Sequence, residues 1–196
     1  MSVIYALDIG GSTLKHALVE PATPIARIVN AFAPVRLQSN RFGELENSVI
    51  SAVGEVLGTH NHVKTIAIST TGVVSNDGIV VRAGHFADYA NVSWDSVLRA
   101  KFPTITRVLT ANDGKASTWA EFVASEVSHS IFAHIVVGTG IGGGIVVHDQ
   151  LVYGHSGFAG YLGHIKVTSE ETIACSLSAI WLRRDASIRP CYCQSV

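Results

Sequence analysis

The chain has 196 residues, 47% apolar and 15% charged, with 14 Lys+Arg against 15 Asp+Glu and a formal net charge of −1. That supplies core for one large domain or two small ones, and too little charge for a disordered chain. A near-neutral chain has no field for a phosphate backbone, no apolar run reaches the ~18 residues of a membrane span, and the N-terminal apolar stretch contains Asp8. The expectation is a soluble, cytoplasmic protein with no nucleic-acid or membrane partner.

In chain order, residues 3–9, 14–19 and 25–32 read as strands, broken by Gly10-Gly11-Ser12 and by Pro21 and Pro24. Phe42, Leu45, Val49, Val53 and Val56 recur at helical spacing and predict a helix ending near Gly58. Short strands are expected over 65–69 and 78–81, a helix around Trp94, Val97 and Leu98, a strand over 105–109 and a helix over 113–127. The opening pattern then returns, with strands at 131–137, 145–148 and 151–153 around a glycine turn. This repeat of supersecondary structure implies two α/β lobes, the second starting near Ser130 and short of chain.

Four constellations carry chemistry. Asp8-Ile-Gly-Gly-Ser-Thr-Leu-Lys15 is a turn between strands whose amides and hydroxyls can face an anion, with Asp8 placed to hold Mg²⁺; it also reads as an ordinary Gly-Gly hairpin. Gly138-Thr-Gly-Ile-Gly-Gly-Gly144 matches G-x-G-x-x-G, but a strand rather than a helix follows, which excludes a Rossmann site. It reads as a second strand–turn–strand phosphate loop, and the two loops together as a clamp across a cleft. Asn112-Asp113 heads a helix, either as a cap or as a carboxylate that takes a proton from a substrate hydroxyl. Gly154-His-Ser-Gly-Phe-Ala-Gly-Tyr-Leu-Gly-His164 precedes Cys175, leaving His164 as a core histidine, a sugar partner or a Zn²⁺ ligand. The cysteines, Cys175, Cys191 and Cys193, do not form a disulfide scaffold.

With these elements in this order, the chain resembles the ROK family (repressor, open reading frame, kinase) of sugar kinases and related repressors, over residues 4 to about 175. Its D-x-G-G-T pattern appears as Asp8-Ile-Gly-Gly-Ser, S-x-x-G-x-V as Ser69-Thr-Thr-Gly-Val-Val74, and N-D-x-x-A as Asn112-Asp-Gly-Lys-Ala116. G-x-A-G-E-x-G-H appears as Gly157-Phe-Ala-Gly-Tyr-Leu-Gly-His164. The resemblance implies an α/β, actin-like (ribonuclease H-like) ATPase fold of two lobes, 1–129 and a partial 130–196, closing over ATP, Mg²⁺ and a sugar substrate, with a homodimer as one assembly. It makes Asp113 the general base and Gly72, Asn112, Asp113, Tyr161 and His164 sugar contacts. Asp8, Gly10, Gly11, Ser12, Thr13, Lys15, Gly138, Thr139, Gly140 and Gly142 become the phosphate and Mg²⁺ apparatus.

Two departures stand out. Tyr161 replaces the usual sugar-binding Glu. This and the Trp-Ala-Glu-Phe122 ending are similar to N-acetylmannosamine kinases, so an N-acetylhexosamine is favoured over glucose. The family's C-x-C-G-x-x-G-C-x-E motif is absent after Cys175, and removing one nucleotide there restores its cysteine spacing and its Glu with plausible codons. The tail from about 176 is therefore expected to be a reading-frame artefact or lesion. It would leave His164 and Cys175 in a Zn²⁺ site that cannot close, and a chain without kinase activity; the alternative function is sugar binding without turnover. The first strand begins at Val3, so no helix-turn-helix of a repressor is expected.

Overall fold

The computed structural model describes residues 3–23, 25–125, 130–138 and 140–164, and the backbone of 173–174 and 180–182. These divide into two compact units, Met1–Asp113 and Gly114–Val196.

The first unit is built on a mixed sheet. β1 (Ile4–Ile9) alternates, burying Tyr5, Leu7 and Ile9 and turning Ala6 and Asp8 to the other face. β2 (Thr13–Glu20) returns antiparallel, with Leu14 opposite Ile9 and Leu18 opposite Tyr5, so the same face stays apolar. β3 (Arg27–Ala31) and β4 (Val35–Arg36) both pair with β2, where a single strand over 25–32 was expected. α1 (Phe42–Thr59) buries Leu45, Val49, Ala52, Val53 and Val56. β5 (Thr65–Thr70) then lies parallel to β1.

β6 (Val73–Val74), β7 (Ile79–Arg82) and β8 (Ala90–Ser93) form a separate small sheet. α2 (Trp94–Lys101) is capped by Ser93, whose hydroxyl accepts from the Ser96 amide at 3.2 Å. β9 (Arg107–Asn112) completes the main sheet parallel to β5. Its order is β3-β2-β1-β5-β9. Both parallel crossovers step in one direction, so right-handed connections put α1 and α2 on one face. There Val49, Val53, Trp94 and Leu98 share a core with Tyr5, Ile9 and Ile66.

α3 (Asp113–Ala124) starts on the last residue of the first unit and runs into the second. It is followed by the hairpin β10 (Ile131–Val137) and β11 (Ile141–Val147), and by β12 (Gln150–Leu151). A 3₁₀ turn spans Leu162–His164, and β13 (Ile173–Ala174) pairs with β14 (Ile180–Leu182). Within the second unit α3 packs on β11: a Cβ on Gly144 would lie 2.8 Å from Thr118 Oγ1. Among the described residues, no helix is long and apolar enough to cross a membrane.

Candidate functional site

In the first unit the three parallel strands end in line. Ile9 of β1 is the register partner of Thr70 on β5, and Thr70 of Asn112 on β9. The turns that follow at Gly10–Gly11 and Thr71–Gly72, and the helix start at Asp113, therefore share one edge of the sheet. The carboxyl ends of parallel strands are where α/β proteins hold ligands, because strand ends and helix starts there leave amides and side chains directed outward.

Asp8 stands beside Ser69 and opposite Lys15, on the face away from the core. Its carboxylate is 4.0 Å from the Lys15 ammonium, both side chains largely exposed, so the pair adds little stability. The Gly10 amide is not available to an anion: it donates to the Thr13 carbonyl at 3.0 Å and closes the turn. Gly11 and Ser12 are exposed. The His85 imidazole lies against the turn, with Nε2 3.1 Å from where a Gly11 Cβ would be. Sequence reading gave no signal for His85, which comes from the segment between β7 and β8.

Asn112 is buried, and its amide nitrogen donates to the Gly72 carbonyl at 2.9 Å and to Asp113 Oδ1 at 2.8 Å. The Asn thus ties the base candidate to the turn after β5. Gly72 has φ +93°, and a Cβ there would lie 2.5 Å from Ala83 Cβ and 2.6 Å from the Arg82 carbonyl, so only glycine fits. Under this turn runs a buried relay. Trp94 Nε1 donates to the Tyr89 hydroxyl at 2.6 Å, which lies 3.0 Å from Thr70 Oγ1, and Thr70 donates to the Thr71 carbonyl at 3.2 Å. With the Thr70 proton committed, Tyr89 is the donor to Thr70. Burial pushes the Tyr89 hydroxyl up to about 12.

In the second unit, the glycine-rich segment splits in two. The turn is confined to 138–140, where the Gly138 amide donates to the Gly140 carbonyl at 2.9 Å; Thr139 lies outside the described residues. Gly142, Gly143 and Gly144, expected in the turn, belong to β11, opposite Val136, Ile135 and His134. Tyr161 and His164 come within 6.0 Å of each other by ring centroids, and burial holds the His164 imidazole below its usual range. Lys115, which sequence reading passed over, is buried and donates to the Gly157 carbonyl at 2.7 Å.

Among the described residues, no three His, Cys, Asp or Glu side chains converge to hold a metal. Of the two expected Zn²⁺ ligands, only His164 is described, and a lone imidazole does not make a tetrahedral site; Cys175 lies outside the described residues, as does most of the tail. The expected zinc site is therefore not supported. For Mg²⁺ the partly exposed carboxylate of Asp8 is a fitting hard ligand, because that ion takes one or two carboxylates and completes its shell with water and phosphate oxygens.

The family model for ROK matches residues 4–193, past Cys175 where the motif reading ended. An N-acetylmannosamine kinase of Vibrio cholerae is 33% identical over 165 residues, covering 84% of this chain and 55% of that protein. One from Yersinia pseudotuberculosis is 30% identical, covering 81% and 52%. Among solved structures, a ROK glucokinase from Streptomyces griseus, in complex with glucose and AMPPNP, superposes with a TM-score of 0.76 at 24% identity, over 90% of this chain and 54% of that one. The ROK hexokinase of Thermus thermophilus gives 0.69 at 19%, over 90% and 57%. The chain spans about half the length of the curated relatives it matches. The α/β fold is thus the actin-like one of the ROK sugar kinases, and the chain belongs to the ROK family.

Proposed function

We infer that this chain carries the sugar-binding and base-bearing part of an ATP-dependent sugar kinase, with an N-acetylhexosamine, N-acetylmannosamine in particular, favoured as substrate. The observation that carries the reading is Asn112 bonded at once to Gly72 and Asp113, at the strand edge that also bears Asp8 and the Gly10–Gly11 turn. The 33% identity to an N-acetylmannosamine kinase supports the choice of sugar, as does Tyr161 in place of a carboxylate.

In the proposed reaction a sugar hydroxyl gives its proton to the Asp113 carboxylate. The freed oxygen bonds to the γ-phosphorus of ATP while the bond from that phosphorus to the β-bridging oxygen breaks, and ADP leaves. Asn112 holds Asp113 in orientation. Asp8 would hold Mg²⁺, which supplies charge neutralisation on the phosphates when bound. The exposed Gly11 and Ser12, with Thr13 and Lys15, offer donors to phosphate oxygens. Such catalysis is positioning plus electrostatics, so displaced groups cost rate steeply.

The test is sugar-dependent ADP release across a panel of hexoses and N-acetylhexosamines. Turnover that Asp113→Asn abolishes, with sugar binding retained, supports the kinase reading and overturns the expectation that the altered tail leaves this chain inactive. Sugar binding without turnover in the parent chain assigns it instead to the binding-only class. Neither binding nor turnover with any sugar overturns both readings.

A further inference from the structure

Lys115 occupies the first turn of α3, two residues after Asp113. Nothing in helix energetics favours it there, since a helix N-terminus repels a cation and burial penalises a charge. Yet it is buried, its ammonium donates to the Gly157 carbonyl at 2.7 Å, and it stands 4.6 Å from the centre of the Tyr161 ring and 5.9 Å from that of Tyr153. Both distances fall within the reach of a cation–π interaction, which is strongest where water is excluded. Among the described residues, the titratable side chains grouped here include Tyr153, Tyr161 and, 6.0 Å beyond Tyr161, His164.

We propose that Lys115 is a specificity-determining positioning residue of the sugar site: its ammonium fixes the Tyr161 ring and the Gly157 turn, and neutralises any acidic side chain placed at position 161. The inference rests on the reading of Tyr161 as a sugar-site residue. The physical reason is the difference between a ring and a carboxylate as partners for a buried cation. The ring meets the ammonium with its π-face and gives up no hydrogen-bond acceptor. A carboxylate in the same place forms a charge-assisted hydrogen bond to the ammonium, and the oxygens so engaged are lost to sugar hydroxyls. Lys115 therefore favours a ring over a carboxylate at position 161, and an aromatic wall suits an apolar substituent such as an acetamido methyl better than a bare hydroxyl.

The experiment uses four 196-residue chains: the parent, Tyr161→Glu, Lys115→Gln and the double variant. Binding of glucose and of N-acetylmannosamine is measured by calorimetric or NMR titration. Tyr161→Glu alone should leave glucose affinity within about twofold of the parent, and the double variant should raise it by about tenfold or more. A gain from Tyr161→Glu alone as large as that of the double variant overturns the proposal. A second readout needs no sugar: the Lys115 side-chain carbon resonances are followed against pH. Burial pushes the ammonium down to about 8. Its midpoint should rise in Tyr161→Glu, and an unmoved midpoint overturns the pairing. If none of the four chains binds either sugar, the sugar-site reading fails, and the Lys115–Tyr161 pair stands or falls on that titration.

Discussion

Replacing Tyr89 by phenylalanine removes one oxygen from the relay that underlies the candidate site. Trp94, Tyr89 and Thr70 are buried to within 1% of full enclosure, so no water can take the place of the lost hydroxyl without repacking. The Trp94 Nε1–H then has no acceptor, and Thr70 Oγ1 loses the proton donated to it, while its own bond to the Thr71 carbonyl survives. A buried unsatisfied donor costs about 1–3 kcal/mol and a lost neutral hydrogen bond about 1 kcal/mol, which together give about 2–4 kcal/mol. That is a large share of the ~5–15 kcal/mol by which a domain is stable. Urea unfolding followed by tryptophan fluorescence reads it, with the denaturant slope unchanged if only the folded state is affected. Thr70→Val is the control. It removes the same Tyr89–Thr70 bond, so the double variant should cost less than the sum of the two single variants. A loss below about 1 kcal/mol for Tyr89→Phe, or strict additivity with Thr70→Val, refutes the relay as a source of rigidity.

Gly72→Ala should cost about 2–4 kcal/mol, from the positive φ and the overlap with Ala83 and the Arg82 carbonyl, and should weaken sugar binding through Asn112; thermal unfolding and a sugar titration check it. Lys115 predicts a pH effect on stability. Its folded-state value of about 8 lies below the ordinary 10.5, so between these pH values the unfolded chain binds a proton that the folded chain has shed. Stability attributable to Lys115 therefore rises with pH through that window and is flat below it; the parent measured against Lys115→Met at pH 7.5 and 9.5 reads it, and no difference between the two chains refutes it. Ile131, Ile135 and Val137 alternate along β10, which ends its sheet among the described residues, and are exposed at 66%, 58% and 66%. Such an edge invites strand pairing, so Ile135→Lys should reduce self-association measured by light scattering, with little change in unfolding.

Where local periodicity meets burial, the sequence was readable. The alternation of Tyr5, Leu7 and Ile9 and the helical spacing of Leu45, Val49, Val53 and Val56 reappear as the core faces of β1 and α1. Where pairing is non-local, it was not. β6 has two residues, too few to show alternation, and exists because Val74 meets Val80. β8 contains Asn91 at φ +56° and is held by Ser93 opposite Ile79. β9 was expected to end at Leu109 but continues through Thr110 to Asn112, because its register with β5 carries the polar residues to the sheet edge. The candidate site divides the same way. Asp8, Asn112 and Asp113 stand at strand ends and turns, which composition marks. His85 and Lys115 gain their meaning from partners tens of residues away, and Tyr89 from a bond to a different strand, which it does not.

The glycine-rich segment shows why a dense composition signal can point to the right place for mixed reasons. Gly138 and Gly140 flank a turn closed by the bond from the Gly138 amide to the Gly140 carbonyl. Gly144 answers to packing, since a side chain there would meet Thr118 of α3. From the other direction, a Cβ on Gly160 would lie 2.8 Å from the Gly144 Cα, and one on Gly163 would strike the Ile141 carbonyl. β11 is thus without side chains over Gly142–Gly144, so that α3 and the Gly157–His164 run can both lie against its backbone. The same closeness brings Lys115 of α3 to the Gly157 carbonyl and beneath Tyr161. Of the glycines read from the sequence as a phosphate loop, those at 142–144 do structural work by letting the helix that begins at Asp113 and the run that carries Tyr161 meet across a bare stretch of β11.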